Sequence, residues 1–87
     1  MHVELTYDAD GDVLYASIGR PTPCTSRDVG DGVLVRHDAM TGDIVATTLV
    51  SARSAVAQRR DSVLEKLKRV PRPLHEAIGA WMARMAQ

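Results

Sequence analysis

Apolar and polar residues alternate strictly at the start of this chain, where Val3, Leu5 and Tyr7 interleave with His2, Glu4 and Thr6. A period of two marks a strand with one buried face, so a first strand is predicted here. Asp8-Ala9-Asp10-Gly11-Asp12 follows. These residue types tolerate left-handed backbone and bond their own main chain, which makes a turn. The next run, Val13-Leu14-Tyr15-Ala16-Ser17-Ile18, is apolar on both faces, so each side of that strand needs cover. Gly19-Arg20-Pro21-Thr22-Pro23 breaks regular structure, because proline cannot donate to a ladder and restricts the residue before it. A short edge piece is expected around Thr25 to Val29, then a tight turn at Gly30-Asp31-Gly32 and a central strand Val33-Leu34-Val35-Arg36-His37. Asp38 to Asp43, containing Gly42, forms a third hairpin link, and the β-branched stretch Ile44 to Val50 closes the set. Consecutive short strands with turn-sized links predict an antiparallel meander of four or five strands.

The period changes near Ser51. Val56, Val63, Leu64, Leu67 and Val70 fall on one stripe at a spacing of about 3.6 residues, which predicts an amphipathic helix from about Ser54 to Arg69. Arg60 interrupts that stripe. Its aliphatic stem is expected to lie along the apolar face while its head reaches a carboxylate on the sheet or on a partner. Glu65 and Arg69, four apart, add local support. Pro71-Arg72-Pro73 ends this helix, and Pro73 suits the first turn of another. Leu74, Ile78, Trp81, Met82 and Met85 then form a second helical stripe. The expected architecture is α+β: an antiparallel sheet followed by two C-terminal helices, within a single domain over 1–87. The sheet half runs over 1–50 and the helical half over 51–87.

Charge changes this picture. The chain has a formal net charge of zero, but residues 1–50 carry 8 acidic and 3 basic groups, a net −5, and residues 51–87 carry 3 acidic and 8 basic, a net +5. With no Phe, one Trp and two Tyr, the core must be aliphatic. A chain of 87 residues buries roughly 60–65% of its unfolded surface, so association into a dimer would add useful cover. Cys24 is the one cysteine, which rules out an internal disulfide and favours a reducing compartment. The start of the chain lacks the pattern of a secretion signal, and no run reaches the ~18–20 apolar residues of a membrane span. A cytoplasmic location without membrane contact is expected.

The strand half also carries a recognisable pattern: Tyr7-Asp8, then Asp12, Leu14 and Tyr15, then Gly32-Val33-Leu34-Val35, Asp38, Gly42 and Ile44-Val45. It resembles the family called domain of unknown function 2283, small bacterial proteins with a strand-rich core, over about residues 3–52. The resemblance implies a strand-rich fold and carries over no catalytic residues. Some family members sit beside small toxin-like proteins, which implies an antitoxin-like role with a small protein partner. Met40-Thr41 and the two C-terminal helices lie outside the pattern.

Candidate chemistry is sparse. An EF-hand loop beginning at Asp8 would need glycine at its sixth position and glutamate at its twelfth, where this chain has Val13 and Gly19. A turn with solvated carboxylates is the better reading. Cys24 with His37 and a nearby Asp could make a nucleophile and base, but no helix start follows Cys24 to activate it. His2, His37, His75 and Cys24 lack the close pairing of a zinc site. No catalytic set, metal or cofactor is therefore expected.

The basic set Arg53, Arg59, Arg60, Lys66, Lys68, Arg69 and Arg72 could track nucleic-acid phosphates. Asp61 and Glu65 interrupt it, no aromatic is interleaved, and the double proline is unlike a helix-turn-helix. The Trp81 stripe either packs on the sheet or forms an association surface, since Trp anchors interfaces and Met adapts to them. The resulting expectation is a non-enzymatic homodimeric interaction module, antitoxin-like or regulatory. Its contact is assigned to Leu74, Ile78, Trp81, Met82 and Met85. Arg59, Arg60, Lys66 and Arg69 are assigned to an acidic partner, or alternatively to nucleic acid.

Overall fold

A computed structural model of the chain describes residues 2–86. Among them are five strands, β1 (Val3–Asp8), β2 (Val13–Ile18), β3 (Cys24–Gly30), β4 (Val33–Asp38) and β5 (Ile44–Val50). Three helices follow, α1 (Ala52–Gln58), α2 (Arg60–Leu67) and α3 (Arg72–Met85). The fold is α+β, with the helices after the sheet. All neighbouring strands are antiparallel, in the order β1-β2-β5-β4-β3.

That order interrupts the expected meander between β2 and β3. The Gly19–Pro23 link carries the chain past the ends of β5 and β4 to the far edge, and β3-β4-β5 then folds back until β5 pairs with β2. The pattern of side chains explains the placement. β2 and β5 are apolar enough to sit inside the sheet, whereas β3, with Thr25, Ser26, Arg27 and Asp28, suits an exposed edge. The β3–β4 hairpin turns on Asp31-Gly32, whose φ values of 56° and 78° give the left-handed pair that a two-residue turn requires.

Register fixes which side chains share a face. Tyr7 pairs with Leu14, Leu14 with Leu49, and Leu49 with Val33. Leu5, Ala16, Thr47 and Val35 form the next row. Both rows lie under the helices, and Leu14, Ala16, Leu49, Thr47, Val33 and Val35 are buried. From the helices come Ala52, Ala55, Val63, Leu67, Leu74, Ile78, Trp81 and Met82, which join the same core.

The single helix expected over Ser54 to Arg69 is two helices, broken at Arg59 with φ −127° and ψ 19°. No glycine or proline marks the break. At the break the Arg59 side chain turns inward and bonds to the sheet end. Arg60 is thereby rotated outward and exposed, so the inward-reaching arginine is Arg59, not Arg60. Glu65 pairs with Lys68 at 2.9 Å rather than with Arg69. α3 begins as expected, with proline in its first turn, and His75 Nδ1 donates to the Leu67 carbonyl at 2.9 Å to close the end of α2.

Candidate functional site

The expected contact stripe is consumed by folding. Leu74, Ile78, Trp81 and Met82 are buried in the chain's own core, and Met85 is 43% exposed. The interaction surface assigned to these five side chains is therefore corrected: in this chain, four of them offer no surface to a partner. Their period of 3.6 fits either use, and it is the sheet's helix-bearing face that claims them.

The four basic residues divide in the same way. Arg59 is half-buried and fully engaged: Nη1 donates to Ser54 Oγ at 2.8 Å, Nη2 to the Val50 carbonyl at 3.2 Å and Nε to the Asp31 carbonyl at 3.3 Å. It ties the helix break to the end of β5 and to the β3–β4 turn. Gly32 is part of this joint, because a Cβ there would lie 2.8 Å from the Val50 carbonyl oxygen and 3.0 Å from Arg59 Nη2. Arg59 is thus a structural clamp and not a free phosphate contact. Arg60 is exposed on the outer side of the helices, while Lys66 and Arg69 face a groove over β3 and β4.

A second joint lies at the other end of α1. Ser51 has φ 51° and provides no side-chain cap. Asp12, from the β1–β2 turn, substitutes for it: its carboxylate accepts the Arg53 N–H at 3.0 Å, and its carbonyl accepts the Ala52 N–H at 3.0 Å. The same carboxylate accepts the Tyr7 hydroxyl at 2.6 Å. That bond, then burial, raises the Tyr7 hydroxyl pKa above its ordinary value, despite the opposing pull of Arg53. The Tyr7 ring lies 5.1 Å from that of Trp81, and the Arg53 guanidinium sits 5.9 Å from the Tyr7 ring centre. Asp12 is thus a bonded, half-buried group rather than one of several solvated turn carboxylates. The neighbouring Asp8 accepts the Asp10 and Gly11 N–H groups within the turn. Long-range capping of this kind leaves no local sequence signal.

Cys24 and His37 do not meet as a dyad. Thr25 is the residue paired with His37, and Cys24, one position away, projects to the opposite face. The Cys24 thiol donates to the Thr22 carbonyl at 3.1 Å, and His37 Nδ1 donates to the Gly42 carbonyl at 3.0 Å. Among the described residues, no group of three or more His, Cys, Asp or Glu side chains could hold a metal ion. No helix is long and apolar enough to cross a membrane, again among the described residues.

Two surfaces remain as candidates. The first is the face of the sheet opposite the helices. Its central row runs Thr6, Tyr15, Thr48, Leu34, Asp28 across β1-β2-β5-β4-β3. The next row is Glu4, Ser17, Ala46, Arg36, Ser26. Tyr15 is 44% exposed, and Val13, Leu34 and Val50 are half-buried there. The second is the groove between α2 and the β3–β4 end of the sheet, a hollow of about 420 Å³. Val29, Val35 and Ile44 line it with His37, and Arg27, Lys66 and Arg69, against the one carboxylate of Asp28, supply its charge. Sequence reasoning missed Arg27, because its association with Lys66 and Arg69 exists only once β3 is placed at the edge beside α2.

Comparison of the chain with protein-family models, curated proteins and solved structures finds no match to any of them.

Proposed function

We propose that the protein is a non-enzymatic interaction module that pairs with a second copy of itself through the open face of its sheet. The observation that carries this reading is the apolar centre of that face, with Tyr15 on β2 and Leu34 on β4 flanking Thr48 on the middle strand. In a two-fold contact, residue i of one copy meets j of the other and j meets i. An axis running along β5 sets Tyr15 of each copy against Leu34 of the other, an aromatic–aliphatic pair made twice. The adjacent row has Glu4 towards one margin and Arg36 towards the other, so the same rotation brings acidic and basic sides together. The same rotation sets Asp28 against Thr6, so the apolar pair at the centre is the self-complementary part of the face.

Size sets the strength expected. Strands lie about 4.8 Å apart and rise about 3.3 Å per residue, so a five-stranded face of six-residue strands measures roughly 24 by 20 Å. Two such faces would bury on the order of 1,000 Å², the lower end of specific interfaces. A reversible dimer forming at micromolar concentration follows. The antitoxin-like or regulatory role that the family resemblance suggests would use this dimer as its platform, with a small protein as the further partner.

The nucleic-acid reading has weaker support. Of its four residues, Arg59 is engaged within the chain and Arg60 faces away from Lys66 and Arg69. The discriminating experiment is sedimentation equilibrium over a range of concentrations. A concentration-dependent dimer that Tyr15→Lys converts to a monomer supports the proposal. A chain that stays monomeric throughout the micromolar range, or a dimer indifferent to Tyr15→Lys and Leu34→Lys, overturns it.

A further inference from the structure

The groove over β3 and β4 brings three cations together over an apolar floor. Arg27, Lys66 and Arg69 form no ion pair among the described residues, where the recorded salt bridges are Lys68–Glu65 and Arg72–Glu76. Glu65, the carboxylate that spacing would have given to Arg69, is held by Lys68. Asp28 also lines the groove, and its Oδ1 accepts the Gly30 N–H at 2.8 Å. The Lys66 ammonium crosses from α2 towards β3, with Cε and Nζ each 3.6 Å from where a Cβ on Gly30 would stand. Below these cations lie the half-buried Val29 and Ile44 and the buried Val35, and three cations against the one carboxylate of Asp28 leave the lining with a net positive charge.

We infer that this groove binds a small amphipathic organic anion, a carboxylate or phosphate head joined to a short apolar body. The head would lie between Lys66, Arg69 and Arg27, which on a partly exposed surface attract an anion but do not order a large one. The body would cover Val29, Val35 and Ile44, and the volume of about 420 Å³ falls within the range of roughly 300–1,000 Å³ usual for ligand sites. His37 lines the groove without a donor for the head, because Nδ1 donates to the Gly42 carbonyl and Nε2 of the neutral ring is an acceptor. Neither half of this chemistry suffices alone: a bare anion would leave the floor wet, and a neutral hydrocarbon would strand three cations beside it. The groove lies on the helix-bearing face, opposite the surface proposed for pairing, so the two ideas stand or fall separately.

The test is a titration of isotope-labelled full-length protein, followed by amide chemical shifts, with sodium hexanoate, octanoate and decanoate below their micellar concentrations. Shifts should concentrate at Val29, Val35, His37 and Ile44, and binding should tighten by about two- to fourfold per added methylene as apolar surface leaves water. Octyl phosphate should bind at the same amides, and its ratio to octanoate distinguishes a phosphate-bearing ligand from a carboxylate. Octanol should bind about tenfold more weakly than octanoate, and a Lys66→Gln, Arg69→Gln double variant should lose a similar factor for octanoate while keeping its amide spectrum. The inference is overturned if octanol binds as well as octanoate, if inorganic tripolyphosphate binds as tightly as decanoate, or if no shifts arise. It is equally overturned if they cluster around Tyr15 and Leu34.

Discussion

The two faces of the sheet are built from similar side chains and have opposite fates. On one, Leu14, Ala16, Leu49 and Val33 are sealed beneath three helices. On the other, Tyr15, Leu34, Val13 and Val50 are left half-buried or exposed among Thr and charged neighbours. β2 makes the contrast sharpest, since Leu14 is 1% exposed and the next residue, Tyr15, is 44% exposed. Alternation in a sequence states which residues share a face. It does not state which face receives the cover when both are apolar; that choice is made by the joints at Asp12 and Arg59, which direct the chain after β5 to one side.

The largest effect expected from this contrast comes from truncating one leucine on each face. Leu49→Ala removes a fully buried side chain and should cost about 3 kcal/mol in urea unfolding, as large-to-small changes in a packed core do. Leu34→Ala should cost less than about 1 kcal/mol at a concentration where the protein is monomeric. If the open face pairs with a second copy, the Leu34→Ala deficit should grow with protein concentration, because association stabilises the folded state by mass action. Equal costs for the two variants in dilute solution would break the comparison.

Arg59→Met comes next. It keeps the aliphatic stem but removes the donors to Ser54, the Val50 carbonyl and the Asp31 carbonyl. A loss of about 2 kcal/mol is expected, the usual range for bonds from a charged donor being ~1.5–3 kcal/mol. Arg60→Met, one residue along and exposed, should change stability by less than ~0.5 kcal/mol. Urea denaturation of both variants checks the assignment, and interchange of the two effects would restore the arrangement in which Arg60 is the inward arginine.

These two arginines also show what was legible in the sequence. Period-two alternation located β1, apolar and β-branched runs located β2 and β5, and Asp31-Gly32, Asp38 and Gly42 located the turns, because the relevant interactions are local. The stripe from Leu74 to Met82 located a helix with one apolar side, but whether that side met this sheet or another chain depended on long-range packing. Arg59 and Arg60 are adjacent and chemically identical, so only the tertiary acceptors at Val50 and Asp31 decide between them. Asp12 is separated from the helix it caps by β2 through β5. Arg27 and Lys66 meet only because β3 crosses to the sheet edge, a jump that consecutive hairpin-length links do not announce.

A smaller and opposite effect is expected at Thr47 and Thr48, neighbours that point to opposite faces. Thr47 Oγ1 is buried without a hydrogen-bond partner, the one such side-chain atom among the described residues. Thr47→Val keeps the shape and removes the orphaned hydroxyl, so it should stabilise the protein by about 1 kcal/mol in thermal or urea unfolding. Thr48→Val removes no such defect and should be close to neutral in the monomer. A destabilised Thr47→Val would mean that the hydroxyl is satisfied in solution, and that the helix-bearing face is wetter than its packing indicates.

The smallest effects are those of pH, and they too separate by place. Tyr7 lies on the helix-bearing face with its hydroxyl pKa raised by the bond to Asp12 and by burial. A group whose pKa is raised on folding contributes stability that is fully present below its unfolded value, here 10.0, and is lost as pH rises through the folded value. Asp38, in the β4–β5 turn, is shifted the other way. The Met40 and Thr41 N–H groups bond its carboxylate at 2.8 and 3.2 Å and hold its pKa below the ordinary value of 3.8. Its contribution is present above that value and is lost as pH falls through the folded one. Alkaline loosening should therefore begin where Tyr7 and Trp81 meet, read by Trp81 fluorescence, and Tyr7→Phe should reduce it. Acid loosening should leave that signal in place while the amides of Met40 and Thr41 lose protection first, and Asp38→Asn should flatten this acid limb. If Trp81 fluorescence instead changes first on acidification, the Tyr7–Asp12 joint does not set the alkaline limit of the covered face.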